Sequence, residues 1–169
     1  MKKLLVVFMI VNCTNSLYSQ DKTMSAKPVF FSIGAELSLP IGSFANLYNF
    51  GLGGSAEVNF GVANKTALTL NAGYIHYSYK SSYYYSSAFG HIIPLLGGVE
   101  YNFSPSVFGS AQIGISFFSL GSTSAFTYSP GIGFKLNRNF TALLKFTGWS
   151  KGGGTSTALG ARLAYTFGK

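Results

Sequence analysis

From residue 29 onwards, apolar side chains alternate with small or polar ones. The alternation breaks into eight runs: 29–39, 50–62, 66–79, 92–103, 106–118, 124–136, 139–149 and 157–168. A period of two places successive side chains on opposite faces of a strand. In the first run Val29, Phe31, Ile33, Ala35, Leu37 and Leu39 share one face, and Ser32, Gly34, Glu36 and Ser38 share the other. Later runs sort the same way: Leu52, Ala56, Val58, Phe60 and Val62 oppose Ser55, Glu57 and Asn59, and Leu159, Leu163, Tyr165 and Phe167 oppose Arg162 and Thr166. Runs of this length suit membrane strands, which need roughly 9–11 residues when tilted.

The connections predict how the strands are joined. Three are short, at Ala63-Asn64-Lys65, Ser104-Pro105 and Asn137-Arg138. Four are longer, at Pro40–Asn49, Lys80–His91, Ser119–Thr123 and Ser150–Ser156. Short and long connections alternate, as in an up-and-down barrel with turns on one side of a membrane and loops on the other. The expected fold is therefore all-β, an eight-stranded antiparallel transmembrane β-barrel.

The charged residues decide which face meets lipid. Glu36, Glu57, Glu100, Lys135, Lys145 and Arg162 all fall on the small, polar face of their runs. A soluble barrel would be apolar inside and charged outside. Here the charges share the face that must point inward, and the apolar face is left for lipid. Three acids and three bases balance. Glu36, Glu57, Lys145 and Arg162 fall at similar heights on runs that become neighbours on closure, so they predict a cluster in the order Lys145, Arg162, Glu36, Glu57. Glu100 and Lys135 lie lower and predict a second pair. Charges in a narrow lumen must be paired.

Composition narrows the class further. Only 9% of the 169 residues are Asp, Glu, Lys or Arg, aromatics make up 17%, and there are 21 Gly. Mean hydropathy is +0.29, yet no apolar run approaches the roughly 20 residues of a membrane helix. A membrane protein without such helices is a closed barrel. Aromatics gather near strand ends: Phe60, Tyr101, Phe103, Phe134, Phe140, Tyr165 and Phe167 predict a girdle at the turn end, with Tyr74, Phe117 and Phe126 candidates for the other.

The N-terminus predicts export. Lys2 and Lys3, the apolar stretch Leu4–Val11 and the polar stretch Asn12–Gln20 form the three regions of a signal peptide. The expected organisation is 1–20 signal peptide, 21–27 short periplasmic lead and 28–169 barrel. Cys13, the only cysteine, lies inside the signal. The formal charge of +8 invites a nucleic-acid reading, but there is no basic run and the expected location, the cell outer membrane, offers no nucleic acid.

With these features the chain resembles the small bacterial outer-membrane barrels of the OmpX and OmpA-transmembrane-domain type. The resemblance covers about residues 28–169. It rests on the run count, the turn–loop alternation, the charged lumen and the ending Ala164-Tyr165-Thr166-Phe167-Gly168-Lys169. Members often end on an aromatic residue; here Phe167 is followed by Gly168 and Lys169. The resemblance implies a lumen filled with side chains, biogenesis by the barrel-assembly machinery, and a role in the range of structure, adhesion and defence, among which the residues select none.

Candidate chemistry is sparse. His76-Tyr77-Ser78 has the H-x-S spacing of outer-membrane lipid A deacylases, but a Ser–His hydrolase also needs an acid to orient its histidine. Two histidines and no mature cysteine predict no metal site, and no cofactor is expected. The loop Lys80–His91 carries Tyr83, Tyr84 and Tyr85, whose rigid amphipathic rings suit contact with an extracellular ligand or host surface. The expected function is structural or surface-interacting through the loops, without catalysis. A narrow channel for ions or small solutes is the alternative, and a lipid A hydrolase a distant third.

Overall fold

A computed structural model of the chain describes residues 29–80, 90–118 and 123–167. The strands are β1 Val29–Ile41, β2 Tyr48–Ala63, β3 Thr66–Tyr79, β4 His91–Asn102, β5 Val107–Phe118, β6 Thr123–Lys135, β7 Phe140–Lys151 and β8 Gly154–Phe167. Each pairs antiparallel with its neighbours in sequence, and β8 returns to β1 to close the barrel. Closure removes the sheet edges, whose unpaired amides lipid cannot solvate.

The alternation read along the chain becomes an inside and an outside. On β1 the odd-numbered residues Phe31, Ile33, Leu37 and Leu39 are exposed, while Ser32, Glu36 and Ser38 are buried. Leu68, Leu70, Leu95, Ile113, Ile132, Leu144 and Leu163 extend the exposed apolar surface around the barrel. An apolar exterior of this extent is stable only against hydrocarbon. The chain is a transmembrane barrel.

One expectation about the connections fails. The stretch 150–156 is not a long loop. β7 runs through Lys151, β8 starts at Gly154, and the two are joined by a tight turn at Gly152 and Gly153. Both glycines have positive φ, +56° and +86°. Such angles fit a primed hairpin turn, whose twist matches that of the strands it joins. The first connection also shortens, because β1 and β2 extend to Ile41 and Tyr48 and a 3-10 helix, Gly42–Asn46, fills the space between. Within β4, Pro94 has no N–H to donate. The β3–β4 ladder is interrupted there, between Ala72/Leu95 and Ile75/Ile92.

The interior is layered. At the turn end it opens into a polar cavity of about 280 Å³, lined in part by Asn59, Glu100, Asn102 and Lys135. Above this lies a belt of charges, then a layer of hydroxyls, and at the loop end an apolar cluster. Leu96, Phe108 and Leu143 also point inward and are buried.

Candidate functional site

The charge belt straddles the seam where β8 meets β1. Glu36 is the direct cross-strand partner of Arg162. Lys145 Nζ lies 2.9 Å from Glu36 Oε2, Arg162 Nε 3.6 Å from Glu36 Oε1, and an Arg162 terminal nitrogen 3.8 Å from Glu57 Oε1. Around the wall the order is Lys145 on β7, Arg162 on β8, Glu36 on β1 and Glu57 on β2.

Neutral side chains complete the belt. Ser55 Oγ donates to Glu36 at 2.7 Å and accepts from Arg162 Nε at 2.8 Å, and Arg162 also donates to Ser32 Oγ at 3.1 Å. Glu57 accepts from Asn71 at 3.1 Å and from Gln112 at 2.9 Å. Glu36, Glu57 and Arg162 are all buried. Their charges are tolerated because each has both a counter-charge and hydrogen bonds. Glycine makes the reach across the seam possible: a Cβ on Gly34 would sit 2.9 Å from Arg162 Nε, and one on Gly160 would sit 3.1 Å from Lys145 Cγ.

Glu100 and Lys135 occupy the lower cavity. Glu100 accepts from Asn59 at 3.1 Å, and Lys135 Nζ donates to Asn102 Oδ1. The two predicted partners thus enter the same polar layer, each held through an asparagine.

The loop end is shut by aromatic rings. Phe44 folds inward from the 3-10 helix, with its centroid 4.8 Å from that of Tyr48, 5.2 Å from Tyr77 and 5.5 Å from Trp149. Ile75, Ile92, Ala125 and Ala158 belong to the same buried cluster. The polar tips of the rings point down to the hydroxyl layer. Tyr77 bonds Ser38 at 2.7 Å, and Trp149 Nε1 donates to Ser116 at 3.2 Å. Thr127 in turn donates to Ser116 at 2.7 Å. Sequence reasoning misses this plug. Tyr77 and Trp149 sit at inward positions of β3 and β7, in step with Asn71 and Lys145, so parity alone would have found them. Phe44 carries no such signal, because it lies outside every strand.

On the outer surface, Phe60, Tyr101, Phe103, Phe134, Phe140, Tyr165 and Phe167 are all exposed around the turn end. Neighbouring rings touch: Phe140 and Tyr165 centroids are 5.2 Å apart, and Tyr165 and Phe167 4.9 Å apart. Such a girdle suits headgroup depth. At the loop end, Tyr74, His76 and His91 form a polar group on the outward face. Glu36, Glu57 and Glu100, the described carboxylates, all face the lumen. Among the described residues His76 therefore meets His91, which in turn meets Tyr74, rather than an acid. Tyr83, Tyr84 and Tyr85 lie outside the described residues.

No family model matches the sequence, and no curated protein does. Solved structures do match. Yersinia pestis Ail in a phospholipid bilayer nanodisc aligns with a TM-score of 0.60 at 11% identity, covering 83% of this chain and 100% of Ail. Ail in complex with the heparin analogue sucrose octasulfate aligns at TM-score 0.52 and 14% identity, covering 82% of this chain and 97% of Ail. The N-terminal β-barrel domain of Pseudomonas aeruginosa OprF aligns at TM-score 0.53 and 15% identity, covering 82% and 97%. At these identities the likeness is one of fold. The chain has the closed, eight-stranded, up-and-down fold of the small outer-membrane β-barrels.

Proposed function

We propose that the chain is an outer-membrane protein whose barrel is a closed anchor and whose working surface is its loop end. The observation that carries this reading is the filling of the lumen, by a paired charge belt at mid-height and an aromatic plug above it. An eight-stranded barrel is just wide enough for side chains. Below these two layers lies the polar cavity, lined toward the turns by Asn64, Asn102 and Lys135. Among the described residues, a channel reading lacks an open path and a hydrolase reading lacks an acid beside His76.

What remains exposed to a partner is the loop end. Lys80 and Lys151 are exposed there, and Tyr83–Tyr85 belong to the same connection as Lys80. Ail shows that a barrel of this fold can take a sulfated sugar. On this reading residues 1–20 direct export, the assembly machinery inserts the barrel, the girdle meets outer-membrane lipids, and the Tyr-rich loop meets an extracellular ligand or host surface.

The test is adhesion of cells displaying the barrel to heparin-coated and uncoated surfaces. Adhesion should be lost when Tyr83, Tyr84 and Tyr85 become Ser, with insertion unchanged. Adhesion equal to wild type in that variant would remove the loop from the account.

A further inference from the structure

We propose that Tyr74, His76 and His91 form a binding site for a first-row divalent transition-metal ion at the outer rim of the barrel. His76 and His91 are direct cross-strand partners on β3 and β4. Their Nδ1 atoms are 3.1 Å apart, and Tyr74 Oη is 2.5 Å from His91 Nδ1. Two imidazole nitrogens bound to one ion at about 2.0–2.1 Å, at near-tetrahedral angles, stand roughly 3.1–3.4 Å apart. The histidine pair already has this spacing, and the exposed Tyr74 side chain would need to withdraw its oxygen from His91 by roughly 0.6–0.9 Å to share the ion.

The hydrogen bonding points to the same ligand. A neutral imidazole nitrogen carries either one proton or one lone pair. His91 Nδ1 therefore cannot make a full hydrogen bond to both Tyr74 and His76, although both are within reach. One cation would take a lone pair from each imidazole nitrogen and from the phenol oxygen, and so remove the competition for His91 Nδ1. Among the described residues no group of three His, Cys, Asp or Glu side chains forms a metal set; here the third donor is a phenol. Imidazole nitrogens with a phenol oxygen favour Cu²⁺ and Zn²⁺ over Mg²⁺ or Ca²⁺. Bound there, the ion would staple β3 to β4 at the root of the connection that carries Tyr83–Tyr85, beyond the gap that Pro94 leaves in their ladder.

The test is calorimetric titration of Zn²⁺ into the untagged, folded barrel, with folding checked by unheated gel migration. The expected result is one ion per chain. His76→Gln and His91→Gln should each weaken binding on the order of tenfold or more, and Tyr74→Phe should weaken it less. With Cu²⁺, the paramagnetic spectrum should show two-nitrogen coordination that either histidine change removes. All three side chains face outward, so the variants should fold. Binding that is unchanged in the double histidine variant, or no saturable binding by the wild type, would overturn the site.

Discussion

Glu36 and Arg162 face each other across the one seam that joins the two ends of the chain, and that seam is held by charge as well as by its ladder of amides. Lys145 and Glu57 extend the pair on either side. Neutralising one member leaves its partner buried without a full counter-charge, which costs about 3–5 kcal/mol. Glu36→Gln and Arg162→Met should each lower the unfolding free energy by about that amount in urea titrations of the lipid-embedded barrel. The double variant should lose clearly less than the sum. It should not return to wild type, because Lys145 and Glu57 each lose a partner as well. Strictly additive losses would mean that the pair is not coupled.

Trp149 is the only tryptophan, so its fluorescence reports on the plug alone. Buried against Phe44, Tyr77 and Phe118, it should emit to the blue and resist quenching by iodide. Phe44→Ala should shift the emission to the red, admit the quencher and cost about 3–5 kcal/mol of stability. A quencher-accessible tryptophan in the wild type would place the plug outside the lumen.

Gly133 lies beneath the ring of Phe108, so close that an added Cβ would meet Phe108 Cζ at 2.0 Å. Gly133→Ala should therefore destabilise the barrel by about 1–3 kcal/mol through overpacking. Adding Phe108→Leu should restore much of the loss. Gly133→Ala without effect on denaturant midpoint would contradict this packing.

The turn between β7 and β8 needs left-handed backbone at two successive positions. Gly152→Asn should be nearly neutral, because asparagine tolerates that region, whereas Gly153→Val should slow refolding and cost at least about 1 kcal/mol. Equal behaviour of the two variants would argue for a looser connection.

Much of this architecture is legible in the chain, because lipid outside and side chains inside impose opposite demands on alternate residues. Parity places Glu36, Glu57, Lys145 and Arg162 on one side, and counting from the turns brings them together. Asn71 and Gln112, which hold Glu57, are less legible because β3 and β5 carry no inward charge to mark their polar face. Phe44 was out of reach, since its burial depends on the 3-10 helix folding over the mouth. The Gly152–Gly153 turn reads as a longer loop because Ser150, Thr155 and Ser156 look like loop residues, although their backbone is paired. The outer triad is not legible in the chain, because Tyr74 reads as a girdle residue, and His76 and His91 lie 15 residues apart, joined only by the β3–β4 register.

The central claim is that the lumen is closed, and single-channel recording tests it most directly. The refolded barrel, its insertion verified by unheated gel migration, is placed in a planar bilayer under applied voltage. A silent membrane is expected, both for the wild type and for Phe44→Ala, because the charge belt still blocks the path when the plug is opened. Reproducible conductance steps in the wild type, altered by Lys145→Gln or Glu57→Gln, would make the belt a filter and contradict the account.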